Sequence, residues 1–170
     1  MKIDAEDLMN YHCPRWNELP EIELYIDQLV CILQNNLSIF FKGKDSPVIT
    51  QNMINNYVKQ GVIEPPIKKR YNKTHLACLF VISTFKRIIS LSDIREAIIR
   101  MQKIVSTEEG YNMFCEELEA AIKRTFNPDP PKKSMHILSE TDKREIAMLR
   151  AIVSALADSL LVDRLILMRK

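Results

Sequence analysis

Residues 50–79 read TQNMINNYVKQGVIEPPIKKRYNKTHLACL and divide into a short helix, a glycine turn, a proline-framed basic ribbon and a second helix. Thr50 suits an N-cap, and Gly61 suits the left-handed position that closes a helix. Between them Asn52, Asn55, Asn56 and Lys59 fall at i, i+3, i+4 and i+7, the spacing of one helix face. Met53, Ile54, Tyr57 and Val58 fall on the other face. Exposed helix faces are usually rich in Glu and Lys, which keep helix propensity; three asparagines lower it. Side-chain amides are also the groups that read adenine N6 and N7 in a major groove. Lys68, Lys69 and Arg70 follow the glycine turn and are suited to hold phosphates. The pattern is that of a DNA-reading helix followed by a wing.

Upstream, Ile22, Ile26, Leu29, Leu33, Leu37 and Phe40 recur at steps of three or four and predict a helix over about 20–41. Pro20 suits its first position, with Glu21 and Glu23 in the first turn. Gly43 and Pro47 stop it. Residues 1–12 carry no such period and read as loose. Trp16 stands between Pro14 and Pro20 and reads as an anchor for this N-terminal arm.

Downstream, Pro65 and Pro66 exclude a helix, leaving Val62–Ile63 and Ile67–Tyr71 as the arms of a small ribbon. Asn72 caps a helix carrying Leu76, Leu79 and Phe80. Ser90 and Asp93 open another, with Ile94, Ile98, Met101 and Val105 at a/d spacing. Ser106 with Glu109 is a capping box for a helix to about Phe126, along which Glu119 and Lys123 stand at i, i+4. NPDPPKKS, residues 127–134, breaks the pattern. The last helix starts near Ser139 or Thr141. Its Ile146, Leu149, Val153, Leu156 and Leu160 keep a heptad rhythm, while Met148, Ile152, Ala155, Val162 and Ile166 form a second apolar flank. A helix apolar on two flanks needs cover on both, from its own domain or from a partner.

Composition sets the outer limits. A chain of 170 residues buries roughly 70% of its unfolded surface, enough for one solid core. Hydrophobic content of 46% and charged content of 27% are those of a soluble globular protein. Three glycines leave little room for hairpins or phosphate loops, so helices dominate. The net charge of +2 is unevenly spread, at −5 over residues 1–41, +8 over 42–104, −4 over 105–131 and +3 over 132–170. The middle third is therefore a basic module, and it contains the asparagine helix. Cys13, Cys31, Cys78 and Cys115 form no CxxC pair, and no secretory leader is legible. A reduced cytoplasmic setting follows, with the thiols buried as small hydrophobes. The run 146–168 is apolar, but Arg150, Asp158, Asp163 and Arg164 interrupt it. Each would cost roughly 2.5–3.5 kcal/mol at a bilayer centre, which argues against a membrane span.

Enzyme constellations do not assemble: there is no Gly-rich phosphate loop, HExxH or GxSxG. His75 and Cys78 share a helix face, but two ligands without a second pair make a poor metal site. His12 and His136 read as isolated surface histidines. Glu108, Glu109, Glu116, Glu117 and Glu119 read as a solvated helix face. No catalytic residue, metal ligand or cofactor is expected.

MINNYVKQGVIEPP, KKRY, HLACLFVI and LSDI together resemble the MerR-type winged helix-turn-helix pattern. Ile54, Tyr57, Gly61, Val62, Pro65, Arg70, Tyr71, Leu76, Leu79, Ile82, Leu91 and Ile94 occupy its positions. Asn55 stands where that family places a DNA-contacting arginine, and a glycine expected near Ile88 and Ile89 is missing. The long helix 20–41 replaces the usual first helix, and the tail lacks a cysteine-bearing metal loop. Over about residues 8–105, WNELPEIELYIDQLV with MINNYVK and PPIKKRY is similar to an uncharacterised family of bacterial proteins grouped as a domain of unknown function.

The expected fold is all-α with a small β-ribbon wing. It comprises an arm at 1–19, a MerR-like winged helix-turn-helix DNA-binding head at 20–105 and a helical dimerisation or effector region at 106–170. The resemblance implies a non-catalytic bacterial transcriptional regulator that binds double-stranded DNA sequence-specifically. Thr50, Gln51, Asn52, Asn55, Asn56 and Lys59 would face the major groove, and Lys68, Lys69, Arg70 and Tyr71 would hold the backbone. Leu149, Val153, Leu156 and Leu160 would form a homodimer seam, because one short helix reads too few base pairs alone. Two alternatives use the same residues: an excisionase-like architectural factor, and a helical adaptor whose asparagine face meets a protein. A small-molecule effector is left unspecified.

Overall fold

Local capping sets the helix boundaries in the computed structural model, which describes residues 5–44, 46–127 and 143–168. Among these residues lie α1 (Ala5–Met9), α2 (Ile26–Leu37), α3 (Gln51–Lys59), α4 (Lys73–Phe85), α5 (Leu91–Gln102), α6 (Thr107–Phe126) and α7 (Arg144–Leu167), with 3₁₀ turns at Trp16–Glu18 and Ser38–Phe41. Thr50, Asn72, Ser90 and Ser106 each accept the N–H three residues on, and the Glu109 carboxylate returns to the Ser106 N–H at 2.9 Å. The predicted starts of α3 to α6 hold to within a residue because each rests on a local hydrogen bond.

α4 is the central element. It buries residues all around its circumference, from His75 to Phe85, as a helix enclosed by others must. α2, α5, α6 and α7 pack on it. Buried residues from Leu8 to Leu160 form one continuous cluster. α6 and α7 lie side by side and parallel: the pairs Glu117–Arg150 and Thr125–Asp158 both advance eight residues along each helix. The far end of α7 is clamped to the end of α2. Buried Arg164 donates to the Ile39 and Lys42 carbonyls, and Asp163 pairs with Arg87 and Lys44. Arg87 in turn donates to the Phe40 carbonyl. Cations thus satisfy carbonyls that a helix end leaves orphaned. Leu167 packs so tightly over Gly43 (φ +79°) that any Cβ there would lie 2.7 Å from its methyls.

Several expectations are corrected. Among the described residues there is no strand, so the β-ribbon wing is not formed; only the isolated bridges Leu24–Tyr71 and Ile67–Arg70 appear. Pro65 and Pro66 lack the N–H a ladder needs, and Asn72 starts α4 directly after Tyr71, so neither arm can lengthen. The fold is a helical bundle without a wing.

The helix expected over 20–41 begins only at Ile26, because Leu24 spends both backbone groups on Tyr71, at 2.8 Å each way. The N-terminal arm is not loose: α1 packs on α6 and Leu8 is buried. Glu119 does not turn to Lys123. It takes Arg15 at 2.7 and 2.9 Å and the Cys13 N–H at 2.9 Å, fastening the arm to α6. Cys13 and Cys115 are buried, whereas Cys31 is exposed on α2. The break at 128–134 and a helix start near Ser139 or Thr141 lie outside the described residues. No helix of the described residues is long and apolar enough to cross a membrane.

Candidate nucleic-acid interface

α3 is short, and each of its ends is closed by specific contacts. Its N-terminus rests on Thr50, whose hydroxyl accepts the Met53 N–H at 3.2 Å. Its C-terminus closes on Gly61 (φ +65°), with Gly61 N–H on the Val58 carbonyl and Val62 N–H on the Tyr57 carbonyl. That double bond set is the Schellman arrangement. Two cations brace it. Lys86, just past the end of α4, reaches the Val48 carbonyl at 2.7 Å just before α3, and Arg95 of α5 reaches the Gly61 carbonyl at 2.8 Å just after. Burial lowers the pKa of Lys86.

Ile54 and Tyr57 seat α3 on the core, while Gln51, Asn52, Asn55, Asn56, Lys59 and Gln60 are exposed. Asn56 Oδ1 accepts from the Gln60 amide at 3.2 Å, so one amide of the face is held by another. A nine-residue helix is about 13 Å long. Thr50 is half-buried and spends its hydroxyl on the cap.

The basic segment is a two-residue turn. Ile67 and Arg70 exchange N–H···O bonds of 3.1 and 2.9 Å, and between them Lys68 (φ +49°) and Lys69 (φ +63°) are both left-handed. Positive φ at both central positions is the I′ geometry, which ordinarily selects Asn-Gly. A lysine there carries a Cβ that the left-handed region disfavours. Both lysines are exposed. Arg70 lies over the Tyr25 ring, 4.0 Å from its centroid.

Tyr71 is 3% exposed, packed edge-on to His75 with centroids 5.4 Å apart. Burial raises its pKa. It belongs to the core and not to a phosphate-holding surface.

The positive charge of residues 42–104 is thus divided. Lys86 and Arg87 are spent on carbonyls, Lys73 lies over Trp16 and on Glu21, and Arg100 pairs with Glu96. Lys59, Lys68, Lys69 and Arg70 remain near α3 and the turn, while Arg95 gives its Nε to the Gly61 carbonyl. Arg95 and Tyr25 were not singled out by the sequence, and Ile22, expected in the apolar stripe of the helix over 20–41, is exposed instead, as is Ile67 of the turn. The antiparallel bridge between Leu24 and Tyr71 is what brings Tyr25 beside the turn.

Leu149, Val153, Leu156 and Leu160 are buried within the chain, at 5% exposure or less. Val162, Leu165, Ile166 and Met168 are the large apolar residues that α7 and its last turn expose. His75 and Cys78 do not converge on a metal site: His75 Nδ1 faces Asn72, and burial lowers its pKa while pushing the Cys78 thiol up to about 11. Among the described residues no group of three His, Cys, Asp or Glu is assembled to hold a metal ion.

Residues 14–120 match the family described as a domain of unknown function, DUF1836. The chain belongs to that family, whose matched span runs from the arm through α3, the basic turn and α4 into α6. No curated protein and no solved structure matches it.

Proposed function

We propose that the chain is a non-catalytic, sequence-specific double-stranded DNA-binding regulator that reads bases with α3 and holds the backbone with the turn at 67–70. The observation that carries this reading is the pairing of an exposed amide face, braced at both ends, with two lysines held in a left-handed turn. Asn52, Asn55 and Asn56 supply the donor–acceptor pairs that suit adenine, and Lys59, Lys68, Lys69 and Arg70 supply charge. Backbone strain kept at an exposed tip fits a turn retained for what it presents. Two copies would double the footprint. Because the heptad leucines of α7 are covered internally, the Val162, Leu165 and Ile166 side is the face left for a second copy. Ile166→Glu is then expected to give a folded monomer in light scattering.

Fluorescence anisotropy on duplexes at several salt concentrations tests the main reading. If a dimer neutralises six to eight phosphates, log K against log salt has a slope of about −5 to −7. Asn55→Ala with Asn56→Ala is expected to cost roughly 1–3 kcal/mol on a preferred site and little on random DNA. A slope near zero sinks the DNA reading. It would favour a protein-binding adaptor, for which the exposed Ile67 of the turn and Tyr25 beside it supply an apolar contact.

A further inference from the structure

Between α4, α5, α6 and the start of α7 lies a pocket of about 80 Å³, open to solvent on one side. Its body is apolar, with walls that include Cys78, Ile98, Met101, Phe114, Met148 and Ile152. Close-packed interiors rarely leave such space. A cavity of about 150 Å³ lined by similar residues takes up benzene, so this one, about half that volume, encloses about three carbons of a short chain and leaves the rest at its open side.

Gln102, Ser106, Thr107 and Glu145 also line the space, from the end of α5 and the starts of α6 and α7. Ser106 is occupied with Glu109. Among the described residues the Glu145 side chain makes no hydrogen bond; it acts on Arg100 through space, and Arg100 is itself held by Glu96 at 2.7 Å. Charge here is mixed. The Glu145 carboxylate repels an anion, while Arg100 and the N-termini of α6 and α7 oppose a cation. A neutral head meets neither penalty, and the Gln102 amide can both donate to it and accept from it.

We infer that this pocket is a binding site for a small uncharged aliphatic molecule bearing one polar head, of the short branched alcohol class. Its hydrocarbon lies between α4, α5 and α7, and its hydroxyl sits by Gln102 and Glu145. α7 lies beyond the matched span of residues 14–120, so the part of the chain outside that span completes the site.

Three ligands with one carbon skeleton separate the possibilities: isopentanol, isopentylamine and isovalerate, titrated into the full chain carrying ¹³C-methyl methionine. Met101 and Met148 line the pocket, whereas Met9 and Met53 do not. Isopentanol is expected to shift the Met101 and Met148 methyl resonances saturably, with a dissociation constant on the order of 1 mM for so few heavy atoms. The amine and the acid are expected to bind at least tenfold more weakly. Cys78→Leu fills the pocket from α4, and Ala97→Leu fills it from α5; either is expected to raise Tm and abolish the saturable shift. Absence of saturable shifts with isopentanol overturns the site. Tighter binding of either charged ligand overturns its chemistry, and a folded Leu variant that binds like the parent overturns its location.

Discussion

α3 and α7 are both amphipathic helices, yet they stand in opposite relations to the rest of the chain. α3 spans nine residues, buries only Ile54 and Tyr57, and owes its boundaries to Thr50 and Gly61 beside it in sequence. α7 spans 24 residues and buries eight, including Arg164. Its contacts reach α6, α4, α5 and the end of α2. One helix has its ends set by neighbours in sequence, with Lys86 and Arg95 bracing them, and offers a polar face outward. The other is fixed by distant partners and uses its best apolar stripe to close the core. An exposed face of α3 is therefore open to substitution, whereas the same substitution in α7 alters the fold.

The largest expected effect tests that asymmetry directly. Leu156 is fully buried, so Leu156→Ala is expected to lose about 2–5 kcal/mol of stability in urea unfolding. Asn55→Ala, on the exposed face of α3, is expected to stay within about 0.5 kcal/mol of the parent. Comparable losses at the two positions would remove the distinction.

The same contrast explains what the sequence made legible. The starts of α3 to α6 could be read because Thr50, Asn72, Ser90 and Ser106 each act on an N–H three residues away. The left-handed turn at Gly61 could be read for the same reason. The partner of α7 could not be read, because a heptad stripe suits a second copy and a neighbouring helix equally well. Leu24 pairing with Tyr71 was equally hidden: it depends on backbone groups of residues far apart in sequence, and it both shortens α2 and replaces the wing. Of the candidate interface, Asn52, Asn55, Asn56, Lys59, Lys68 and Lys69 are exposed as expected. Tyr71 and Thr50 are absorbed by packing and capping, while Arg95 and Tyr25 arrive from other elements.

A smaller effect is expected at the clamp between α7 and α2. Arg164→Met keeps the apolar stem but removes the donor to the Ile39 carbonyl, a loss of about 1–3 kcal/mol. Hydrogen exchange localises it. Amides in the last turns of α7 and at Ser38–Phe41 are expected to exchange faster, while those of α3 keep their parent rates. Uniform acceleration throughout the chain would show that the clamp is part of the global core and not a separate lock.

Acid separates the ion pairs that tie distant segments from the exposed face of α3, which carries no carboxylate. Burial pulls the Glu119 carboxyl upward, but Arg15 and the Cys13 N–H outweigh it and hold it below its ordinary value of 4.5. Asp163 is likewise raised by burial, and held below 3.8 overall by Arg87 and Lys44. Groups depressed in the folded state contribute stability that is complete above the unfolded values and disappears as pH falls through the folded ones. Urea midpoints are therefore expected to decline gently below about pH 6.5, where the unfolded chain protonates His75 before the folded one does, and to drop more steeply below about pH 4.5, the ordinary glutamate value. Glu119→Gln is expected to start lower at pH 7 and fall less steeply. A slope identical to the parent's would remove Glu119 from the acid response.

The smallest expected change in stability concerns the turn at 67–70 and carries the sign opposite to all the others. Lys68 and Lys69 hold left-handed φ values that asparagine and glycine adopt more readily. Lys68→Asn with Lys69→Gly relieves that strain, set against the greater entropy glycine loses on folding. The net gain is expected to be about 0.5–1 kcal/mol in urea unfolding. Two cations are lost at the same time, so the salt slope of duplex binding is expected to flatten by about two units per protomer, with weaker binding on every sequence alike. A more stable protein that binds DNA less well would mean that the strained lysines are kept for the charge they hold outward. If the double variant is more stable and binds DNA with an unchanged slope, the turn has no part in holding phosphates. Backbone contact would then have to come from Lys59 and Arg70.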